Sequence, residues 1–238
     1  MRTLKRFFDV NFLAIDASTE ACSVAITFND KQFSEYELCP QSHSLRLLPM
    51  VDSVLKQANC KLAELDGIIF GQGPGSFTGV RIGIGVTQGL AFSAELAARG
   101  VSTLQAMAQQ AYIEKGEKRV IAAIDARMSE VYTCYFEADE HGIMQPKTEE
   151  TVLKPELVNQ YYKDISLPAY GVGTGWDAYT ELAELKSNSG SPEILFPTAE
   201  AMLAIGKVDF ANHSVDAEHA QPKYVRDTVS WKKLPGRE

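Results

Sequence analysis

The chain has 238 residues, of which 45% are hydrophobic and 23% are charged, a composition typical of a globular protein with one large or two small domains. Its formal net charge of −8 argues against direct, tight binding of nucleic-acid phosphates by a broad basic face. The four cysteines form no CxxC pair and no regular framework, which favours reduced thiols in the cytoplasm over an exported disulfide scaffold.

Residues 1–11 precede the first predicted strand. They are basic at Arg2, Lys5 and Arg6, but Asp9 interrupts the apolar run before it reaches the length of a signal peptide. We therefore expect no export signal, and we expect this N-terminal extension to fray.

The same tetrapeptide occurs at the end of two predicted strands. Residues 14–17 read AIDA, and the same four letters recur at residues 123–126. Each copy ends an apolar strand and leads through a polar turn into an alternating strand, which predicts a β-hairpin. A coincidental match between two apolar strands is the alternative. The repeat favours two related α/β lobes with mixed sheets and flanking helices, residues 12–104 and 105–238.

A polar stretch over residues 32–44 leads into a helical pattern over residues 43–58. The apolar residues of this helix cover an arc of roughly 220° at about 100° per residue, whereas a surface helix usually buries a narrower stripe. The surplus predicts a second apolar surface, covered by loops of the same chain or by a protein partner. The side chains predicted to meet a partner are Leu47, Met50, Val51 and Val54.

Residues 71–89 carry seven glycines and a single charged residue. The pattern predicts a turn over residues 73–76 and a helix over residues 77–94, capped by Ser76 or Thr78. Each helical glycine lowers helix propensity by roughly 1 kcal/mol relative to alanine, so close packing must compensate. A phosphate-binding P-loop is disfavoured because the Gly-Lys-Ser/Thr ending is missing.

Small residues form two stripes along this predicted helix. One stripe contains Gly79 and Gly83, and the other contains Gly85 and Gly89. Glycine lets a second backbone approach closely, either from the same domain or from a partner. The residues of this helix predicted to form a partner or dimer interface are Gly79, Gly83, Val86 and Leu90.

Two aspartates end the first strands of the two hairpins. If Asp16 and Asp125 flank an interlobe cleft, they could hold a metal-bound nucleotide phosphate, as in an ATP-dependent kinase or hydrolase. Ser18 follows in the first turn, and Gly173 lies in a glycine-rich run that could cradle phosphate or adenosine, although a plain loop is the favoured explanation of that run. These four residues are the candidate cofactor ligands.

The residue pattern predicts neither a catalytic centre nor a metal site. The four histidines include no pair four residues apart, and His43 is interpreted as a local hydrogen-bonding group. Ser76 lacks the Gly-x-Ser-x-Gly arrangement of a nucleophile elbow. A peptidase is therefore the least favoured class.

The final part of the chain combines aromatic and basic residues in 222–226 and 231–233. Such a tail could contact RNA or another subunit. Docking onto the chain's own fold, or disorder, is the more common behaviour.

Four stretches together resemble the bacterial TsaB (YeaZ) family of tRNA threonylcarbamoyladenosine biosynthesis proteins. The resemblance extends over residues 12 to about 227, and its glycine-rich stretch is the most specific. One departure is Ala17, where the family usually has threonine, and it weakens the case for phosphate binding at the first turn. The matching stretches are residues 14–25, 73–83, 124–127 and 222–226.

This resemblance implies a two-lobed α/β fold of the actin, Hsp70 and sugar-kinase type, also called ASKHA or RNase H-like. It implies a non-catalytic cytoplasmic subunit required for threonylcarbamoylation of adenosine 37 in tRNAs that read ANN codons. The implied partners are the catalytic subunit TsaD, the ATPase TsaE through the complex, and a second copy of the chain when TsaD is absent. Contact with tRNA is implied only through the complex, no membrane is involved, and ATP or ADP is implied only at a composite interface with TsaD.

Overall fold

The computed structural model describes residues 10–165 and 168–226. The predicted fraying of residues 1–9 and the basic tail at 231–233 lie outside the described residues. No helix in the described ranges has the length and apolar character needed to cross a bilayer.

Asn11 already belongs to the folded domain. Its backbone N–H donates to Oδ2 of Asp66 at 2.8 Å, and its side-chain oxygen accepts from the N–H of Asn29 at 2.9 Å. Residue 11 is therefore not part of a frayed extension, because these hydrogen bonds fix it beside the first strand.

The two helices predicted over residues 43–58 and 77–94 are observed at those bounds. The strands are β1 (Phe12–Asp16), β2 (Ala21–Phe28), β3 (Lys31–Leu38), β4 (Gly67–Gly71), β5 (Ala98–Val101), β6 (Arg119–Asp125), β7 (Val131–Ala138), β8 (Met144–Pro146), β9 (Thr151–Leu153) and β10 (Tyr170–Val172). The α-helices are α1 (His43–Ala58), α2 (Phe77–Ala94), α3 (Thr103–Lys115), α4 (Pro155–Tyr161), α5 (Gly175–Ala178), α6 (Ala199–Gly206) and α7 (Phe210–His213). Short 3₁₀ helices cover Leu62–Glu64, Thr180–Leu185 and Ala217–His219.

The described strands form two mixed sheets. The first has the order β3-β2-β1-β4-β5, with β1 antiparallel to β2 and parallel to β4. The second has the order β10-β6-β7-β8, with β9 also paired to β7. Asp16 and Asp125 hold equivalent positions at the ends of β1 and β6, so the duplicated hairpin is confirmed.

Strand β3 lies where the sequence indicated only a polar stretch. It is an edge strand whose side chains are exposed or partly buried, so it has no apolar run to reveal it. Asn29 and Asp30 connect it to β2 with φ of 50° and 61°. Two consecutive left-handed residues of these types are typical of a type I′ hairpin turn.

The helices and sheets stack in five layers. Helices α1 and α2 cover one face of the first sheet, and α6 covers the other face. Helix α3 lies beside α6 and covers one face of the second sheet. Helices α4 and α5 and the second 3₁₀ helix cover its far face. Leu13 and Ile15 face α1 while Phe12 and Ala14 face α6, as the two-residue period of a strand requires.

The chain returns to the first lobe near its C-terminal end. Ala98 in β5 exchanges backbone hydrogen bonds with Val215, and Gly206 in α6 lies directly against Ile69 in β4. Residues 199–220 therefore belong to the first lobe, and the predicted second lobe of residues 105–238 is wrong for them. Helices α1 and α2 cover only one apolar face of the first sheet, and α6 covers the opposite face.

Candidate functional site

A cleft separates the two hairpin turns and encloses a cavity of about 1240 Å³. Its walls are the turn after β1, the glycine-rich turn before α2, the turn after β6 and a C-terminal segment. The two hairpin turns meet here because both follow the carboxyl ends of central strands. The cleft is where the duplicated halves face each other.

Asp16 does not reach this cleft. Its side chain is 1% exposed, and its Oδ2 accepts from Ser18 N–H at 3.2 Å and Ser18 Oγ at 3.1 Å. Its Oδ1 has no hydrogen-bond partner within the described residues, and a side chain at Gly71 would collide with it. Burial raises the pKa of Asp16 to about 6 even though both Ser18 hydrogen bonds oppose the rise. The prediction that Asp16 flanks the cleft is therefore wrong.

Asp125 lines the cleft, but its carboxylate is already engaged. It accepts from Arg127 N–H at 2.9 Å, from Arg127 Nη1 at 3.0 Å and from the Tyr179 hydroxyl at 2.8 Å. Burial raises the pKa of Tyr179 to about 12, with the hydrogen bond to Asp125 as the next cause. Arg127 also reaches Glu20 across the cleft at 3.2 Å. Asp125 thus anchors a bridge between the lobes.

Ser18 and Gly173 serve packing roles in the structure. The Ser18 hydroxyl donates to Asp16 and accepts from Thr103 Oγ1 at 3.0 Å, so it joins the first turn to α3. Gly173 lies tightly against the carbonyl of Ala123 with φ of +102° and is not among the residues that line the cleft. Of the four candidate cofactor ligands, only Ser18 and Asp125 line the cavity.

The glycine-rich turn is held against the first hairpin. The Ser76 hydroxyl accepts from Gly79 N–H at 3.2 Å, which confirms the predicted N-terminal cap. The Ser76 N–H donates to the carbonyl of Ser18 at 2.7 Å. A Cβ at Gly79 would collide with the carbonyl oxygen of Ala17, so this glycine permits close contact within the chain.

Residues 222–226 form a strap across the cleft. Lys223 N–H donates to the carbonyl of Gln72 in the first lobe at 2.9 Å. Arg226 pairs with Glu130 in the second lobe and donates to the carbonyl of Ala126 at 3.3 Å. The described part of the tail therefore docks on the chain's own fold.

The predicted interface residues of α1 lie in the chain's own core. Leu47, Met50, Val51 and Val54 are each at most 3% exposed and pack against the first sheet. The prediction that these four residues contact a partner is therefore wrong. They occupy the part of the 220° apolar arc that covers the first sheet.

The first glycine stripe of α2 also faces inward. Gly79 and Gly83 are buried beside Ala17, so a partner cannot reach them. Val86 and Leu90 are partly buried at the edge of the α1–α2 contact. Only these last two of the eight predicted interface residues keep accessible surface.

The opposite sides of α1 and α2 remain uncovered in the described chain. Leu45 and Leu48 of α1 are 73% and 50% exposed, and Phe92 of α2 is 81% exposed. A Cβ added at Gly85 or Gly89 would meet nothing within 4 Å. We call these five residues the outer face. In the sequence, the second glycine stripe and the surplus apolar arc indicated this face. The interface residues predicted from them, however, lie mostly on the buried sides of the two helices.

Comparison with known proteins identifies relatives over nearly the full length. A family model described as TsaD, tRNA N6-adenosine threonylcarbamoyltransferase, matches residues 35–224. The tRNA threonylcarbamoyladenosine biosynthesis protein TsaB of Escherichia coli is 48% identical over 233 residues, covering 96% of this chain and 100% of the relative. The protein of the same name from Haemophilus influenzae is 42% identical, covering 97% of this chain and 99% of the relative.

The solved structure of YeaZ from Pseudomonas aeruginosa superposes with a TM-score of 0.77 at 42% sequence identity. The alignment covers 90% of this chain and 99% of that structure. Together with the TsaD family match, it confirms the predicted two-lobed α/β fold of the actin-like type.

Proposed function

Because the chain belongs to the TsaB family of tRNA threonylcarbamoyladenosine biosynthesis proteins, we propose that it serves that pathway as a non-catalytic scaffold for TsaD. In this role it holds TsaD in an active arrangement for modification of adenosine 37 in tRNAs that read ANN codons. TsaE and tRNA contact it only through the complex, and free chains pair with each other. The proposed location is the cytoplasm.

The outer face carries this proposal. It combines exposed leucine side chains on α1 with an exposed phenylalanine and two open glycine positions on α2. Large exposed apolar side chains on two neighbouring helices favour a protein contact, and the glycines would let a partner helix approach α2 closely. Both helices that carry the face pack on the first sheet.

An ATP-dependent kinase or hydrolase is the alternative function, and the site geometry speaks against it. A nucleotide-bound metal ion in the cleft would need carboxylates from both lobes, yet Asp16 is sealed under Gly71. Asp125 already accepts hydrogen bonds from Arg127 and Tyr179. We therefore propose that ATP or ADP binds only at a composite interface with TsaD.

Gly89→Arg tests the docking proposal. The exposed position leaves room for the new side chain, so the fold is preserved while a charge is placed in the contact. Burying an unpaired charge costs several kcal/mol, and we expect TsaD affinity to fall about 100-fold or more. Calorimetry with TsaD, size-exclusion chromatography and an assay of modified tRNA measure the effect.

Gly89→Ala is the matched control, because it adds one methyl group at the same open position and should retain the complex. If Gly89→Arg is folded and still forms the complex with wild-type affinity, the outer face is not the docking surface. Calorimetry of the isolated chain with Mg-ATP separates the two functions, since tight binding or turnover without TsaD would favour the enzyme.

A further inference from the structure

Three side chains with metal-binding atoms meet beneath the start of α1. Cys22 comes from β2, Cys39 follows β3, and His43 begins α1. One ligand atom of each lies within 4.8 Å of the other two, and all three residues are buried. Their separation along the sequence, 22, 39 and 43, is not a recognisable metal-binding spacing, so the residue pattern predicted no site here.

The hydrogen bond of His43 prepares it as a ligand. Its Nε2 lies 2.7 Å from the backbone carbonyl of Thr19. A carbonyl oxygen only accepts, so the proton of the neutral ring sits on Nε2 and Nδ1 keeps its lone pair. Metal-binding histidines usually donate their second ring nitrogen to a carbonyl or carboxylate in this way.

We propose that Cys22, Cys39 and His43 form a zinc site. Two thiolates and one imidazole are a ligand set that Zn²⁺ uses in proteins. Tetrahedral Zn–S bonds of about 2.3 Å place the two sulfurs about 3.8 Å apart, so the observed separations need to close by about 1 Å at most. Binding displaces one proton from each thiol to solvent, and the two thiolates neutralise the Zn²⁺ charge, which suits a buried position.

The interlobe cleft borders the cluster and offers the ion an entry path. His43 and Thr19 both line the cleft, as does Pro40 next to Cys39, so the proposal assigns the fourth coordination position to a water molecule from that side. The bound ion joins β2, the end of β3 and α1. Ser42 makes no side-chain capping hydrogen bond to α1, so the ion would supply a fixed point at the start of this helix.

Titration of the purified full chain with Co²⁺ under reducing conditions tests the site. We expect one equivalent to bind, with a near-ultraviolet sulfur-to-cobalt charge-transfer band and the visible spectrum of tetrahedral cobalt. Added Zn²⁺ should displace the cobalt and abolish both signals. This readout uses neither TsaD nor tRNA, so its result is independent of the docking proposal.

Three variants each remove one proposed ligand: Cys22→Ser, Cys39→Ser and His43→Asn. Each should weaken Zn²⁺ binding more than the loss of a residue that only hydrogen-bonds to a ligand, which costs about 10- to 100-fold. Cys60→Ser and Cys134→Ser are controls, since neither residue belongs to the cluster, and both should bind one equivalent normally. Cys22→Ala, checked by circular dichroism, separates loss of a ligand from loss of folding.

A wild-type chain that gives no sulfur-to-cobalt band overturns the proposal. So does binding that survives in folded Cys22→Ala. A chain whose Cys22 and Cys39 form a disulfide on oxidation but bind no Co²⁺ when reduced would identify the pair as a redox couple, and this result also rejects the zinc site.

Discussion

The buried carboxyl group of Asp16 makes the stability of this protein depend on pH. Its folded pKa of about 6 lies above the ordinary value of 3.8 because burial disfavours the charged form. Between these two values the folded chain binds more protons than the unfolded chain. Stability therefore falls as pH rises from about 4 to about 6 and the penalty stays constant above that range.

Asp16→Asn should remove this penalty. The amide has nearly the same shape and can still accept the Ser18 hydrogen bonds. We expect the variant to gain up to about 3 kcal/mol in unfolding free energy at neutral pH, since one pKa unit corresponds to about 1.4 kcal/mol. The gain should disappear near pH 4, where the wild-type carboxyl is protonated. Urea unfolding measured across this range gives both values.

Thr87→Val is the pH-independent control for Asp16→Asn. The Thr87 hydroxyl is buried and has no partner within the described residues, so its removal should stabilise the chain by about 1 kcal/mol at every pH. If the difference in unfolding free energy between Asp16→Asn and wild type is also independent of pH, Asp16 does not titrate in the folded protein.

Asp16 and Asp125 show which properties of a residue can be predicted from the sequence and which cannot. The repeated AIDA letters located Asp16 and Asp125 at equivalent strand ends, because a strand end and its turn are local features. Their environments differ through distant contacts, since Asp16 is buried beside Gly71 while Asp125 accepts a hydrogen bond from Tyr179. Pairwise contacts between residues far apart in sequence are not contained in a local pattern.

Helix α2 has glycines with opposite roles on its two sides. Alanine at Gly79 would collide with the carbonyl of Ala17, whereas alanine at Gly85 would meet open space. We expect Gly79→Ala to lose about 1 to 3 kcal/mol through overpacking. Gly85→Ala should gain up to about 1 kcal/mol in helix propensity. Thermal unfolding of the two variants compares the same substitution in one helix.

Equal effects of Gly79→Ala and Gly85→Ala would contradict the orientation of α2. The two glycine stripes and the bounds of the helix could be predicted, because spacing and capping are local. It could not assign a side to each stripe, since both stripes have the same composition. The orientation is set by the β1–β2 turn, which contacts only the stripe that contains Gly79 and Gly83.

At the scale of the whole molecule, the strap joins the two lobes at the mouth of the cleft. Arg226 is the buried end of this connection, with a side chain 15% exposed, and it contacts both Glu130 and the carbonyl of Ala126. Arg226→Ala should lower the unfolding free energy by about 1 to 3 kcal/mol, since hydrogen bonds to charged groups are worth about that amount. Denaturant unfolding measures the change.

Arg127→Ala provides the comparison for Arg226→Ala. Arg127 also bridges the lobes, through Glu20 and Asp125, but its side chain is 75% exposed. Exposed ion pairs contribute about 1 kcal/mol or less, so this variant should change stability little. If both variants lose the same amount of stability, the contacts of Arg226 in the strap stabilise the protein no more than an exposed ion pair does.

The two-lobed architecture could be predicted from the repeated hairpin, but the assignment of the C-terminal helices could not. Helix α6 is short and apolar apart from Glu200, a pattern that would suit either sheet. Its place beside β4 depends on Gly206, which allows contact with Ile69. The same limit applies to Cys22, Cys39 and His43, which are brought together only by the pairing of β2 with β3 and the docking of α1.

The return of α6 to the first sheet has a consequence for synthesis on the ribosome. The strands of that sheet have all emerged by Val101, yet the helix that shields the side bearing Phe12 and Ile69 ends at Gly206. About 100 further residues must be translated before that hydrophobic face is covered. A nascent chain at this stage is a natural client for a chaperone.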